Sequence, residues 1–175
     1  MSGEAYFDVT KNERIPFRIE TADLDVEVLG TIFNLLARDC DSQIKLSLLE
    51  GKVHLCSTKS KEEAVLYPNQ RALLNKENGK IHISKADNNT STAWTRNELV
   101  FKATPISKVL REIERSYGVT IQMNFTDELL DDLFTGTFST KNLNETFSIL
   151  KLHYRIKGNV VYIDDFKLNR KTKLK

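Results

Sequence analysis

Long hydrophobic runs are missing from this 175-residue chain: no uninterrupted apolar stretch exceeds four residues, and AVLY (64–67) and VVYI (160–163) are examples at that limit. That excludes a transmembrane helix within it, which needs about 20 apolar residues in a row, and a secretory leader with its apolar middle. Any membrane role is expected of a part of the parent protein outside this stretch. The start, MSGEAYFDV, enters a strand-like pattern within a few residues, as a fragment cut at a domain boundary would, with Met1 supplied at the cut. A dominant charge is missing too. Lys and Arg number 26 against 24 Asp and Glu, a net charge of +2 with the signs interspersed, which argues against a nucleic-acid surface. The one basic run, KLNRKTKLK at the end, has no apolar periodicity and reads as a solvated tail. The seven glycines are isolated, one per turn, so there is no phosphate-cradling loop.

Cysteine is scarce: Cys40 and Cys56 alone make no disulfide framework. If 44–49 and 52–57 form a hairpin turning at Glu50-Gly51, Cys56 falls near Ile44 with Cys40 just upstream. A Cys40–Cys56 bridge would then suit an oxidising compartment, and two half-buried free thiols are the alternative.

What is present divides into two regions with different patterning. From residue 4 to about 84 the period is two. LDVEV puts Leu24, Val26 and Val28 on one face and Asp25 and Glu27 on the other, and IKLSL does the same with Ile44, Leu46 and Leu48. KVHL, AVLY, RALL and KIHI follow, separated by Gly30, Glu50-Gly51, Pro68-Asn69 and Asn78-Gly79. Short strands at this spacing predict an all-β module over 1–85, a sandwich or a solenoid-like roll. The polar stretch KADNNTSTAW predicts a linker over 86–97, with Trp94 packing rather than binding.

From Glu98 the period changes. ELVF reads as a short strand; Pro105 suits a first helical turn, and Ile106, Val109, Leu110, Ile113 and Tyr117 form one helical stripe ended by Gly118. VTIQMNF and LFTGTF read as strands, NLNETFSILKLHYRI as a second helix with Leu143, Phe147, Leu150 and Tyr154 on its stripe, and YRIKGNVVYI as a hairpin about Gly158-Asn159. The two halves are copies. Phe101 and Phe138 lie 37 residues apart, and so do Ile106 and Leu143, Leu110 and Phe147, Ile113 and Leu150, Tyr117 and Tyr154, and Val119 and Ile156. Neither helix can bury its stripe alone, so both are expected on one shared sheet. The prediction is an α+β chain: the all-β module, then a small α/β module of two strand–helix–strand repeats over 98–165, then a basic tail over 166–175.

Catalytic constellations are absent from the pattern. His54, His82 and His153 are scattered and suit surface or capping roles, and no Ser-His-Asp arrangement can be drawn. His54 and Cys56, at i and i+2 of a strand, could face one ion with Cys40, but a fourth ligand is missing, so ordinary strand-surface residues are the preferred reading. DELLDD (127–132) reads as a charged turn rather than a carboxylate pair. No enzyme, cofactor or metal is expected. Two compact modules and a linker favour a binding or signalling protein.

The pieces GEAYFDV, PFRIET, VEVLGTIFNLLA, LLEGKV and LYPNQRALL, in this order, resemble the FecR-type anti-sigma regulators in their Bacteroidota form. AWTRNELVFKATPISKVLREIERSYGV and LFTGTFSTKNLNETFSILKLHY are similar to the domain that follows in that family. The most specific strings are Val28-Leu29-Gly30-Thr31 with Phe33-Asn34, and Phe134-Thr135-Gly136-Thr137-Phe138, and the likeness runs from residue 3 to about 164. Asn69 and Asn97 stand where the family often has Gly, and Asn tolerates the positive φ such turns need.

The resemblance implies a cell-surface relay: a cytoplasmic segment that controls a sigma factor, one inner-membrane helix, both preceding Gly3, and a periplasmic part. That part would sense the N-terminal signalling domain of a TonB-dependent outer-membrane transporter. It also implies an STN-like last module. A carbohydrate-binding or glycan-processing β-module is the alternative function, disfavoured because Tyr6, Phe7, Phe17, Phe33 and Tyr67 fall mostly on apolar faces or turn edges. For docking, the C-terminal hairpin is the expected site: a terminal strand often lies at a sheet edge, and Val160, Val161, Tyr162 and Ile163 are β-prone and uncharged.

Overall fold

The structure, a computed structural model, describes residues 2–123, 131–150 and 152–166. The chain forms two compact units, Met1–Thr92 and Ala93–Lys175.

The first unit contains nine strands: β1 (Gly3–Val9), β2 (Phe17–Glu20), β3 (Leu24–Val28), β4 (Thr31–Ala37), β5 (Gln43–Glu50), β6 (Val53–Ser57), β7 (Glu63–Leu66), β8 (Gln70–Asn75) and β9 (Ile81–Lys85). They form two antiparallel sheets, β1-β4-β5-β8-β9 and β2-β3-β6-β7. The inward residues of the period-two stretches (Leu24, Val26 and Val28; Ile44, Leu46 and Leu48; Val53 and Leu55) make one aliphatic core with Phe33, Leu35 and Leu66. A short helix, α1 (Asn88–Ser91), follows, its first turn capped by the Asp87 carboxylate accepting from the Thr90 N–H.

The turn at Glu50-Gly51 corrects one expectation. It is not a hairpin. β5 pairs with β4 and β8, while β6 pairs with β3 and β7 in the other sheet. The chain steps between layers there, as it also does at Leu29-Gly30 between β3 and β4. The two corners stack. A Cβ on Gly51 (φ 89°) would lie 2.5 Å from the Gly30 carbonyl oxygen, and one on Gly30 (φ 146°) would lie 2.4 Å from the Lys11 Cα. The Thr31 hydroxyl donates to the Lys52 carbonyl at 3.0 Å and ties one corner to the other. Only glycine fits both the backbone angles and the close approach. The Ile44–Cys56 proximity on which a Cys40–Cys56 bridge was based therefore does not arise. Both residues are free thiols here, Cys40 exposed and Cys56 half-buried.

The second unit opens with a 3-10 turn (Ala93–Arg96) in which Trp94 is half-exposed. Thus the stretch 86–97 carries α1 and this turn. Then follow β10 (Glu98–Pro105), α2 (Ile106–Tyr117), β11 (Thr120–Met123), β12 (Leu133–Ser139), α3 (Leu143–Ile149), β13 (Leu152–Lys157) and β14 (Val160–Phe166). α2 ends on Gly118 in the left-handed conformation, φ 64°. Asn124 and Phe125, most of DELLDD and all but the first residue of the 166–175 tail lie outside the described residues.

The expected α+β architecture with an STN-like pair of repeats on one shared sheet does not hold: the chain is mainly β. Fifty-two per cent of the described residues lie in strands, and the only helices among them are α1, α2, α3 and the 3-10 turn. The strands of the duplicated halves divide between two sheets. β10 pairs antiparallel with β12, and the three-stranded sheet runs β11-β14-β13. The second copy is also less helical than the first. α3 stops at Ile149, seven residues against twelve for α2, and Tyr154, the counterpart of helical Tyr117, stands on strand β13. A repeat at fixed offset records local similarity. It does not choose strand partners, which are made across the chain.

Both stripes nevertheless reach one core, where Ile106, Val109, Leu110 and Ile113 of α2 meet Phe147 and Leu150 beside Leu99, Phe101, Phe138, Val161 and Ile163, with Leu143 only partly buried. Gly136 explains the FTGTF string. The ring of Phe134, two residues earlier on the same face of β12, lies where a Gly136 side chain would start, 2.5 Å from an added Cβ. In that space Phe134 stacks on Phe138 at 5.1 Å and meets Phe101 edge-on at 6.2 Å.

Candidate partner-binding edge

In a β-rich unit the unpaired strand edges present backbone donors and acceptors to which another strand can add. In the three-stranded sheet β14 is central. Val160, Val161, Tyr162 and Ile163 pair with Thr120–Met123 of β11 on one side and with Lys157, Ile156, Arg155 and Tyr154 of β13 on the other. The expectation that the last strand is an edge is corrected: the hairpin folds β14 inward, and β11 inserts itself beside it. Val161 and Ile163 are fully buried in the core, while Val160 and Tyr162 are half-buried on the opposite face. On that outer face Tyr162 lies in register between Gln122 and Arg155, and Val160 between Thr120 and Lys157.

The true edges are β11 and β13, and they differ. In β11 the Thr120 N–H donates inward to the Asn159 carbonyl at 2.9 Å. The next N–H, of Ile121, points the other way and is taken at 2.7 Å by the Glu114 carboxylate from α2. A charged side chain thus occupies the edge of a four-residue strand, which blocks strand addition. β13 is six residues long, and among the described residues its outer side makes no backbone hydrogen bond to another strand. Ile156, in register with buried Val161, is 46% exposed beside that open side. The sheet of β10 and β12 has outer sides as well, but β10 carries a bulge between Phe101 and Thr104, with Ala103 at φ 43° and its N–H donated to the Thr135 hydroxyl at 2.9 Å. A bulge twists an edge away from an incoming strand.

The other singled-out residues are placed as follows. Cys56 pairs in register with Asp25 and Glu63 on β6, and Cys40 lies between β4 and β5 of the other sheet. His54 faces Glu63 at 3.5 Å, and among the described residues no cluster of His, Cys, Asp and Glu could hold a metal ion. Asn69 and Asn97 adopt φ 65° and 59°, the left-handed conformation for which Asn replaces Gly. Sequence reasoning missed the Glu114 cap. Glu114 lies seven residues before Ile121, across a helix end and a turn, and no local pattern marks it.

With these elements in view the comparisons are decisive. The FecR protein family matches residues 1–54, and the family of FecR C-terminal domains matches residues 98–163. Two crystal structures of a protein from Parabacteroides distasonis ATCC 8503, assigned as an anti-sigma factor, superpose with a TM-score of 0.75 at 31% identity, covering 93% and 94% of this chain and 77% and 78% of theirs. This chain belongs to the FecR-type anti-sigma factors. No curated protein matches it. The FecR C-terminal match runs from the first residue of β10 to Ile163, within β14, and so takes in strands of both sheets of the second unit, while the FecR match ends within β6. As a FecR-family chain, this is a regulator of signal transduction. Among the described residues no helix is long and apolar enough to cross a membrane.

Proposed function

We propose that this chain is the periplasmic, signal-receiving part of a single-pass inner-membrane anti-sigma regulator. It binds the N-terminal signalling domain of a TonB-dependent outer-membrane transporter. It relays that state to a sigma factor held by a cytoplasmic segment beyond this stretch, through an inner-membrane helix also beyond it. Docking uses the C-terminal hairpin at β13, where the partner adds a strand, its backbone supplying affinity and Ile156, Val160 and Tyr162 supplying selectivity. The observation that supports this most is the contrast between the two edges of the three-stranded sheet: β11 is capped by Glu114, while β13 is six residues long and, among the described residues, open.

The test is calorimetric titration of the chain with the isolated signalling domain of the transporter encoded beside it. Ile156→Asp places a carboxylate on the open edge and is expected to weaken binding about tenfold or more, the loss typical of a buried interface anchor. Unchanged affinity in an Ile156→Asp protein with a native circular dichroism spectrum would remove β13 as the docking strand. No measurable binding by the unaltered chain would remove the transporter as the partner.

A further inference from the structure

The two ends of the first unit are unlike. One end is formed by the turns 21–23, 38–42, 58–62 and 76–80, and none of the exposed large hydrophobic residues lies in them. They are instead tied together: the Ser60 hydroxyl donates to the Gly79 carbonyl at 2.8 Å, and the Thr58 hydroxyl to the Ala22 carbonyl at 2.9 Å. The other end is formed by the corners between layers, and Ile15, Phe17, Leu29 and Tyr67 are exposed there by 70%, 42%, 44% and 56%.

Their order follows from the sheet. β2, β3, β6 and β7 are consecutive neighbours, Phe17 pairs with Val28, and Val53 pairs with both Val28 and Leu66. Phe17 therefore begins β2 beside Leu29, which follows β3; Lys52, which precedes β6, comes next, and Tyr67, which follows β7, closes the row. At about 4.8 Å between strands the row spans roughly 15 Å. Ile15 stands at its head, in a loop held by the Asn12 side chain accepting from the Arg14 and Ile15 N–H groups.

The charges along the row are basic. The Lys52 ammonium lies 5.9 Å from the centre of the Tyr67 ring, and neither Lys52 nor Arg14 has an ion-pair partner among the described residues. Glu13 is paired with Lys11 at 3.0 Å, and Glu50 ends a strand of the other sheet. A narrow convex row of four side chains falls far short of the roughly 800 Å² per partner that a stable protein interface buries. Its end-on strands offer no edge for pairing. Apolar tips interleaved with unpaired cations are instead what the headgroup region of an anionic bilayer accepts: the tips enter the interface and the cations meet lipid phosphate.

We infer that this rim is a membrane-contact surface for anionic phospholipid, with Ile15, Leu29 and Tyr67 inserting, the half-exposed Phe17 backing them from its contact with Phe7 (ring centroids 6.1 Å), and Arg14 and Lys52 binding phosphate.

The test is co-sedimentation of the whole chain with vesicles of phosphatidylcholine containing 30% phosphatidylglycerol, against vesicles of phosphatidylcholine alone. Binding is expected to the anionic vesicles and to fall about tenfold or more when salt is raised from 0.05 to 0.5 M. Ile15→Ser with Tyr67→Ser is expected to lower it about tenfold at low salt, and Arg14→Glu with Lys52→Glu to abolish it. All four positions are solvent-facing, so native circular dichroism spectra are expected of both variants. Absent binding to anionic vesicles, equal binding to both vesicle types, or unaltered binding by either variant would overturn the inference. So would a concentration-dependent dimer, seen by light scattering in the absence of lipid, that either variant abolishes, since the rim would then be a protein interface.

Discussion

In the first unit fifteen buried hydrophobic side chains, Phe33 the only aromatic among them, are spread over seven strands, β2 to β8, in two sheets. Among the described residues of the second unit eleven make the core, and three are phenylalanines on β10, β12 and α3. The first core is redundant in side chains, and its critical points are backbone corners where glycine alone fits. The second concentrates its packing in a few rings, with Phe147 fully buried and 4.8 Å from Tyr154. Redundant aliphatic packing tolerates truncation because each side chain is a small part of the buried area. A core built round large rings does not.

The largest effect should come from breaking the ring cluster. Phe147→Ala is expected to destabilise the second unit by about 3–5 kcal/mol, as for a buried aromatic that leaves a cavity. Hydrogen exchange resolved by unit should show protection lost in residues 98–163 and kept in β3–β6. Equal loss in both would erase the contrast between the cores. A smaller effect is expected at the corner. Gly51→Ala must strain a positive φ and move the Gly30 carbonyl, at a cost of about 1–3 kcal/mol, read as a lowered melting temperature with exchange quickening first in β4 and β5. A neutral Gly51→Ala would show that the corner relaxes and is not a weak point. The smallest effect concerns the thiols. Thiol titration of protein folded under oxidising conditions, then denatured without reductant, should count two free groups, and in the native protein exposed Cys40 should react before half-buried Cys56. A count of zero would mean that the region round Cys40 rearranges to reach the other sheet.

The edges of the three-stranded sheet repeat the lesson on a smaller scale. The sequence string NVVYI looks like the most pairing-prone strand, and it is, but the partners it wins are β11 and β13 of its own unit. Among the described residues the edge of this sheet left open is LHYRIK, whose basic residues make it look less adhesive. Charged edge strands are a common guard against uncontrolled pairing, so a hydrophobic strand in a sequence is better evidence for the centre of a sheet than for its docking edge.

What the sequence by itself determined is local. The alternation in LDVEV and IKLSL set which side chains face inward, because the pleat has period two whatever the partner strand. The stripe from Ile106 to Tyr117 and the stop at Gly118 set α2, and Asn69 and Asn97 marked two turns of positive φ. The FecR motifs were likewise readable, since they are strings of residues. Only the tertiary structure decided what each element pairs with. Glu50-Gly51 can serve a hairpin or a corner between layers, and the Gly30 corner packed against it makes it the latter. The duplicated halves share a pattern, yet Leu152–Tyr154 stand in a strand where their counterparts, Arg115–Tyr117, are helix, because β14 offers them a ladder. Glu114 became an edge cap only once α2 lay beside β11. Periodicity is a property of consecutive residues, whereas hydrogen-bond partners are chosen among residues far apart in the chain, and that choice is made by packing.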